Sequence, residues 1–197
     1  MRLAVFLLSV ALLAGCATTR QSVLLPELDS WEQRTMVLGG HTEWEFRGRI
    51  GVKAGDEGFN GKLRWIQDGE SFSATVGGPI GIGTVRIEGD GRSVSLTDKD
   101  GARTELEDAE LELQYRYGWT IPVESLRYWA LGVPDPALPA ETEFGDDGQL
   151  SKLKQRGWDV SITRYREGGG QLMPNRLSVR SIDTTVRLVI DSWYFFQ

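Results

Sequence analysis

The sequence predicts a mainly β domain in which one antiparallel sheet curls under a lid of helices. Apolar residues recur at every second position through much of the 197-residue chain, as in strands with one buried face. Twenty-four glycines supply frequent tight turns. Helical spacing interrupts the alternation near the middle of the chain, so an insert can cover the concave side of the sheet. A long curled sheet with such a lid has room for a ligand.

The first 26 residues are predicted to precede the folded domain. Residues 3–14, LAVFLLSVALLA, form an apolar run that is too short to span a bilayer. The run ends in LAGC, which resembles a bacterial lipobox, and in such signals the cysteine is acylated and becomes the first mature residue. We expect residues 1–15 to be a lipoprotein signal peptide and residues 16–26 a lipidated tether from Cys16, with the domain over 27–197. The alternative is an ordinary secretory signal with an incidental cysteine.

Two further features of this segment bear on its fate. Cys16 is the only cysteine, so no intramolecular disulfide can form. Ala17 follows it where an aspartate would retain a lipoprotein at the inner membrane, and this implies export to the outer membrane.

The first half of the domain reads as one helix followed by a meander of strands. Helical spacing predicts a helix over 27–38 that ends at Gly39 and Gly40. A strand over 44–53 follows, with Glu45 on the polar face and Trp44, Phe46, Gly48, Ile50 and Val52 on the inward face. The next strand, over 59–67, points Phe59, Gly61, Leu63 and Trp65 inward. Shorter strands are predicted around 72–76, 85–87 and 94–96, separated by glycine-rich turns.

The second half begins with the helical insert. Residues 106–118 fit a helix through Leu106, Ala109, Leu113 and Tyr117 and also fit a strand, and the helix is preferred. A second helix starts with Pro122 in its first turn and ends at Gly132. Strands are predicted to resume over 140–144, 150–155, 158–165, 176–182 and 185–193.

Composition excludes several classes of function. The formal net charge of −6 argues against nucleic acid as a partner. One histidine and one cysteine cannot supply a usual zinc site, and no G-x-S-x-G motif occurs. The stretch GIGTVR begins like a dinucleotide fingerprint but has Arg86 in place of the last glycine. We therefore expect a non-enzyme without a cofactor.

Tryptophan is over-supplied, with seven in the chain. Most are expected to be core residues, since large aromatics anchor small β domains. A subset can instead line an apolar pocket: Trp65 on an inward strand face, Trp129 on the apolar face of the second insert helix, and Trp158 at the start of a strand. These patterns alone leave both interpretations open.

Six stretches in the right order along the chain resemble the LolB family of outer-membrane lipoprotein receptors. They are FRGRIGV (46–52), GKLRWIQ (61–67), GGPIGIGTVRIEG (77–89), IPVESLRYWALGVP (121–134), LKQRGWDV (153–160) and VRLVIDSWYF (186–195). The resemblance implies a half-open antiparallel β-barrel, similar to LolA and LolB, that encloses a hydrophobic cavity under a helical lid.

The resemblance also implies a function and its residues. Such a protein receives triacylated lipoproteins from the periplasmic carrier LolA and places them in the outer membrane, where it is itself anchored on the periplasmic face as a monomer. The cavity tryptophans of the family correspond to Trp65, Trp129 and Trp158, which we expect to be joined by Phe46, Ile50 and Leu63. The apolar tip of the family's functional loop corresponds to Ile80. The alternative is an assembly lipoprotein that docks on a membrane-protein machine and binds no lipid.

Overall fold

One antiparallel sheet dominates the fold. The computed structural model describes residues 20–78, 84–117 and 120–197, and within them lie eleven strands. In chain order these are β1 (Glu43–Ala54), β2 (Glu57–Asp68), β3 (Ser71–Gly77), β4 (Thr84–Gly89), β5 (Val94–Thr97), β6 (Arg103–Leu106), β7 (Glu141–Phe144), β8 (Leu150–Gln155), β9 (Trp158–Gly168), β10 (Gln171–Arg180) and β11 (Thr184–Phe195).

The sheet consists of two meanders joined at their first and last strands. Its order is β6-β5-β4-β3-β2-β1-β11-β10-β9-β8-β7, and each neighbouring pair runs antiparallel. No pairing joins β6 to β7 in the described residues, so the sheet is open at these two edges. The predicted mainly β fold with a half-open sheet is therefore confirmed.

The helical insert joins the two edges of the sheet. Helices α2 (Ala109–Tyr117) and α3 (Val123–Leu131) follow β6 and precede β7, and we call them the lid. The helix preferred for 106–118 is confirmed over 109–117, although Leu106 belongs to β6. Helix α3 buries one face and ends at Gly132, whose left-handed backbone, φ 76°, points its N–H at the carbonyl of Trp129. Pro122 precedes this helix as its N-cap rather than lying in its first turn.

The prediction for the first helix was wrong at both ends. Helix α1 (Trp31–Gly40) begins four residues later than expected and includes the two glycines predicted to end it. Its start is set by Ser30, whose hydroxyl oxygen accepts a hydrogen bond from the backbone N–H of Gln33 at 3.2 Å. The Gln33 side chain in turn accepts from the N–H of Asp29 at 3.0 Å. These capping bonds fix the helix start, whereas the apolar spacing extended it too far.

Alternation along β1 places Trp44, Phe46, Ile50 and Val52 in the core, as predicted. Gly48 is required because a Cβ there would lie 2.2 Å from the carbonyl oxygen of Val189 on β11. The register between the two strands also shifts at Arg47/Gly48. The close approach of backbone at this bulge bends the central strand pair.

Glu45 was assigned to the polar face of β1 and is nevertheless buried, with 6% of its surface exposed. Arg64 lies opposite on β2 and donates from Nε and Nη2 to the two carboxylate oxygens at 2.9 and 2.7 Å. Arg47 donates to Oε1 at 2.6 Å. The two arginines cover a carboxylate that the alternation places on the outer side of the sheet.

Residues 20–26, which we call the strap, cross one end of the sheet. The N–H of Val23 donates to the carbonyl of Phe195 at 2.8 Å, and the N–H of Leu25 donates to that of Gly169 at 2.8 Å. Leu25 is buried in the main core. The described part of the predicted tether is therefore packed on the domain.

Candidate functional site

A row of stacked aromatic rings lies along the inward face of β1, β2 and β3. The ring of Phe46 stacks on those of Trp44 and Trp65 with centroids 6.0 and 6.1 Å apart. Trp65 in turn stacks on Phe72 at 5.1 Å, with an angle of 18° between the ring planes. The strand register produces this row: Phe46 lies opposite Trp65 on β2, Trp44 is two residues away on the same face of β1, and Phe72 on β3 lies diagonally across from Trp65.

The other two predicted cavity tryptophans bring the lid against the second meander. Trp129 of α3 and Trp158 at the start of β9 have ring centroids 6.5 Å apart. Trp129 is fully buried, and its indole N–H donates to Oε1 of Gln155 at 2.8 Å. This bond satisfies the polar atom of the ring inside the core.

All six predicted cavity residues belong to one buried apolar cluster. Its predicted members are Phe46, Ile50, Leu63, Trp65, Trp129 and Trp158, and each is at most 6% exposed. The structure thus brings them together on the concave side of the sheet. That they border an acyl-chain cavity stays a prediction, and Cys16 and Ile80 lie outside the described residues.

A cavity of about 770 Å³ lies beside this cluster, between the lid and the first meander. The lid contributes Leu111, Val123 and Tyr128, and the sheet contributes Phe72, Val94 and Leu106. Polar and charged residues line the cavity as well, among them Glu70, Arg92, Glu124 and Arg127. The volume falls within the range of about 300–1,000 Å³ that is typical of small-ligand sites.

Phe72 connects this cavity to the aromatic row. One side of its ring stacks on Trp65, and the residue also lines the cavity. It packs both against the main cluster and against a second cluster formed by Ile87, Leu96, Leu106 and Leu113. The cavity therefore borders two apolar cores, and a shift of one ring would extend it toward Trp65.

Gln155, at the end of β8, fastens the lid to the second meander. Besides the Trp129 indole, its side-chain oxygen accepts from the N–H of Asp135 at 3.0 Å. Its amide nitrogen donates to the carbonyls of Asp135 and Leu138, both at 2.9 Å. The side chain is 3% exposed, so these four bonds satisfy it in the absence of solvent.

Arg156 extends the same attachment to both lid helices. It has φ 53°, and with Gly157 at φ 76° it forms the two-residue turn between β8 and β9. A β-hairpin turn with both residues in the left-handed region usually selects asparagine or glycine. Here the arginine donates to Oγ of Ser125 on α3 at 3.2 Å and pairs with Glu110 of α2 at 3.3 Å.

The electrostatics at the mouth of the cavity are mixed. Burial raises the pKa of Glu110, Arg156 acts in the opposite direction, and the nearby charges of Glu124 and Asp108 raise it further. Arg127 lies over the ring of Tyr128, 4.6 Å from its centroid, and donates to the hydroxyl oxygen at 2.7 Å. The lining of the cavity therefore combines apolar side chains with charges of both signs.

The sequence patterns missed most of the residues that line this cavity. Phe72 was placed in a predicted strand around 72–76 but was given no role. Arg127 and Tyr128 follow the apolar positions of α3, where helical spacing assigns them to the flank. Gln155, which holds the lid rather than lining the cavity, ends a strand and carries no signal of its own. Their grouping depends on how the insert folds back over the sheet, and local periodicity does not encode this.

Within residues 20–78, 84–117 and 120–197, no group of three or more histidine, cysteine, aspartate or glutamate side chains could hold a metal ion. None of the helices described there combines the length and the hydropathy needed to cross a membrane.

Solved structures with a similar fold include the following two. A LolA superfamily protein from Nitrosomonas europaea superposes with a TM-score of 0.52 at 9% identity, covering 80% of this chain and 88% of that one. A DUF1329 family protein from Desulfovibrio piger gives a TM-score of 0.54 at 5% identity, covering 82% and 89%. At these identities the likeness concerns the fold alone.

Sequence comparison reaches further. Proteins named outer-membrane lipoprotein LolB include one from Pseudomonas aeruginosa PAO1, 32% identical over 98% of this chain and 97% of its own length. Another, from Nitrosococcus oceani, is 34% identical over 98% and 96%. The family model described as outer membrane lipoprotein LolB matches residues 42–193. The chain belongs to the LolB family.

Proposed function

We propose that this protein is an outer-membrane lipoprotein that accepts acylated lipoproteins from the periplasmic carrier LolA and inserts them into the outer membrane. The observation that carries the proposal is the cavity between lid and sheet, whose wall continues through Phe72 into the row of buried aromatic rings. Membership of the LolB family supports the same conclusion. We further propose that the protein acts as a monomer on the periplasmic face, anchored by acylated Cys16, and catalyses no reaction.

The size of the acyl anchor explains why a protein must carry it. At about 0.8 kcal/mol per buried CH₂, three chains with roughly 40 methylenes represent about 30 kcal/mol of transfer free energy. An anchor of this kind cannot cross water unprotected, so it has to pass directly from one apolar site to another. Transfer needs no nucleotide if each successive site binds the chains more tightly. A difference of 1.4 kcal/mol per step changes the equilibrium about tenfold.

The predicted role of the aromatic residues follows from this requirement. Six residues are buried members of one apolar cluster: Phe46, Ile50, Leu63, Trp65, Trp129 and Trp158. We propose that the entering acyl chains occupy the cavity first and then displace Phe72 from Trp65. Ile80, in the segment that joins β3 to β4, is proposed to contact the bilayer during release.

The experiment is a transfer assay that measures two steps separately: acceptance of the lipoprotein from LolA and its release into vesicles. A radiolabelled lipoprotein bound to LolA is mixed with the purified protein, and the two proteins are separated before phospholipid vesicles are added. We expect the label to move from LolA to this protein and then to the vesicles. A label that stays with LolA would contradict the receptor function and favour an assembly lipoprotein that binds no lipid.

A further inference from the structure

The strap sets how far the lipid anchor can lie from the folded domain. Arg20 at its start forms ion pairs with Glu43 and Asp68 at 2.9 and 3.1 Å and lies over the ring of Phe196. Gln171 donates to the carbonyl of Pro26 near its end. The strap is thereby held at both ends and, through Val23 and Leu25, in its middle.

Arg20 lies only four positions after Cys16 in the chain. Fully extended, a chain advances about 3.3–3.6 Å per residue, so the acylated sulfur can lie no more than about 14 Å beyond Arg20. Had residues 16–26 all been free, the reach would be about 35 Å. The end of the sheet that the strap crosses must therefore stay close to the membrane.

Two exposed leucines lie at this same end. Val23 and Leu25 point toward the domain, so Leu24 points away from it and is 78% exposed. Its side chain lies beside Gly170, two residues before Leu172, which is 47% exposed at the start of β10. An extended segment alternates its side chains, and the burial of Leu25 thus forces Leu24 outward.

The opposite end of the sheet lies far from the anchor. Strand β3 runs from the strap end to Gly77, which at about 3.4 Å per residue spans roughly 24 Å. The turn between β10 and β11 lies farther still, since β11 alone has twelve residues. That turn carries a fully exposed Ile182 and provides a matched apolar position away from the anchor.

From these observations we propose that the strap end, with Leu24 and Leu172, is the face that rests on the bilayer in the anchored protein. The inference rests on the proposed acylation of Cys16. The occupant is a bilayer of zwitterionic lipids, because the exposed charges at this end are of both signs, Glu27 and Glu167 beside Arg20 and Arg166, and so do not favour an anionic surface. The β3–β4 connection is then held away from the anchoring membrane while the strap is bound, and its proposed contact with the bilayer during release requires the strap to detach.

Photolabelling from the membrane tests this orientation. The acylated protein is purified from membranes, reconstituted into phosphatidylcholine vesicles that contain a diazirine phosphatidylcholine, irradiated, digested and analysed by mass spectrometry. We expect labelling of residues 20–26 and 166–172 to exceed that of residues 181–183 at least tenfold. Equal labelling of both ends, or stronger labelling at 181–183, would overturn the proposal. An unmodified Cys16 in the same digest would contradict the proposed anchor instead.

Two variants sharpen the result. A flexible Gly/Ser insert of about 20 residues between positions 19 and 20 adds roughly 25 Å of reach and should spread the label to 181–183. If the labelling pattern is unchanged by the insert, the strap does not set the orientation and the proposal fails. Leu24→Asp should reduce labelling of the strap several-fold, whereas Ile182→Asp should not. Equal effects of the two substitutions would also overturn it.

Discussion

At the scale of single residues, Gln155 carries the most concentrated set of lid contacts. Replacing it by alanine leaves the Trp129 indole, the Asp135 N–H and two carbonyls without these partners in a buried site. Unsatisfied buried polar groups cost about 1–3 kcal/mol each before relaxation. We expect Gln155→Ala to lower the free energy of unfolding by about 3 kcal/mol in urea titrations. The neighbouring exposed Lys154→Ala should change it by less than about 0.5 kcal/mol; equal losses would show that the network is not needed.

Glu45 should make stability depend on pH. Burial acts to raise its pKa, but hydrogen bonds from Arg64 and then Arg47 outweigh it and hold the pKa below the ordinary value of 4.5. A depressed carboxyl pKa stabilises the fold above the unfolded-state value and ceases to do so as pH falls through the folded-state value. Glu45→Gln should therefore cost about 1 kcal/mol at pH 7, since both arginines are half-exposed.

The pH profile of unfolding distinguishes this effect from a packing defect. The difference between wild type and Glu45→Gln should shrink steadily once the pH drops below about 4.5. Exposed Glu57→Gln, on the neighbouring strand, serves as the control and should follow the wild-type curve. A Glu45→Gln deficit that is the same at pH 3 and pH 7 would refute the electrostatic explanation.

Ile80 lies outside the described residues, and its role rests on the sequence alone. One apolar side chain gains only about 1.5–3 kcal/mol on leaving water, which is too little for anchoring but enough to seat a loop against acyl chains. We expect Ile80→Glu to accept cargo from LolA normally and to lose transfer to vesicles, whereas Ile80→Leu should behave as wild type. Normal transfer by Ile80→Glu would remove the residue from the release step.

At the scale of elements, the β3–β4 pair controls the position of Phe72. Gly89 pairs with Phe72, and a Cβ at Gly89 would lie 2.4 Å from Cε1 of that ring. Gly89→Ala should move the ring off Trp65 into the cavity and weaken binding of an apolar fluorescent probe about fivefold, or about 1 kcal/mol. Gly77→Ala, on the same strand pair, meets nothing within 4 Å and should leave binding unchanged. The same probe affinity in both variants would show that the position of the Phe72 ring does not control binding.

Elements were predictable where one local signal determined them. Alternation along β1 and β2 identified the inward rows because each strand has one face on the core. The end of α3 was predictable from Gly132, because a left-handed helix cap depends only on the local residue. The start of α1 was missed because the Ser30 cap outweighs apolar spacing, and the burial of Glu45 was missed because its two arginines come from different strands.

At the scale of the whole molecule, the way the two meanders join determines where the cavity forms, and the sequence patterns did not predict that position. Pairing of β1 with β11 joins the two meanders in the middle of the sheet, whereas β6 and β7 do not pair with each other in the described residues, and the lid lies between them in the chain. Periodicity indicated the two meanders and the insert. The cavity lies against Phe72 and Val94, beside the predicted tryptophans. Its position was not predicted, because it depends on where the folded lid leaves space.

The most direct test of this account is to ask which tryptophan an acyl chain reaches. A lipopeptide with brominated acyl chains is added to the protein, and quenching of tryptophan emission is compared in Trp65→Phe and Trp31→Phe variants of confirmed fold. Trp65 stacks on the cavity residue Phe72, whereas Trp31 packs against Phe144 on α1 and β7. We predict that the lipopeptide quenches the wild type and that Trp65→Phe removes a large share of the quenching while Trp31→Phe does not. Absence of quenching, or equal loss in both variants, would contradict the account.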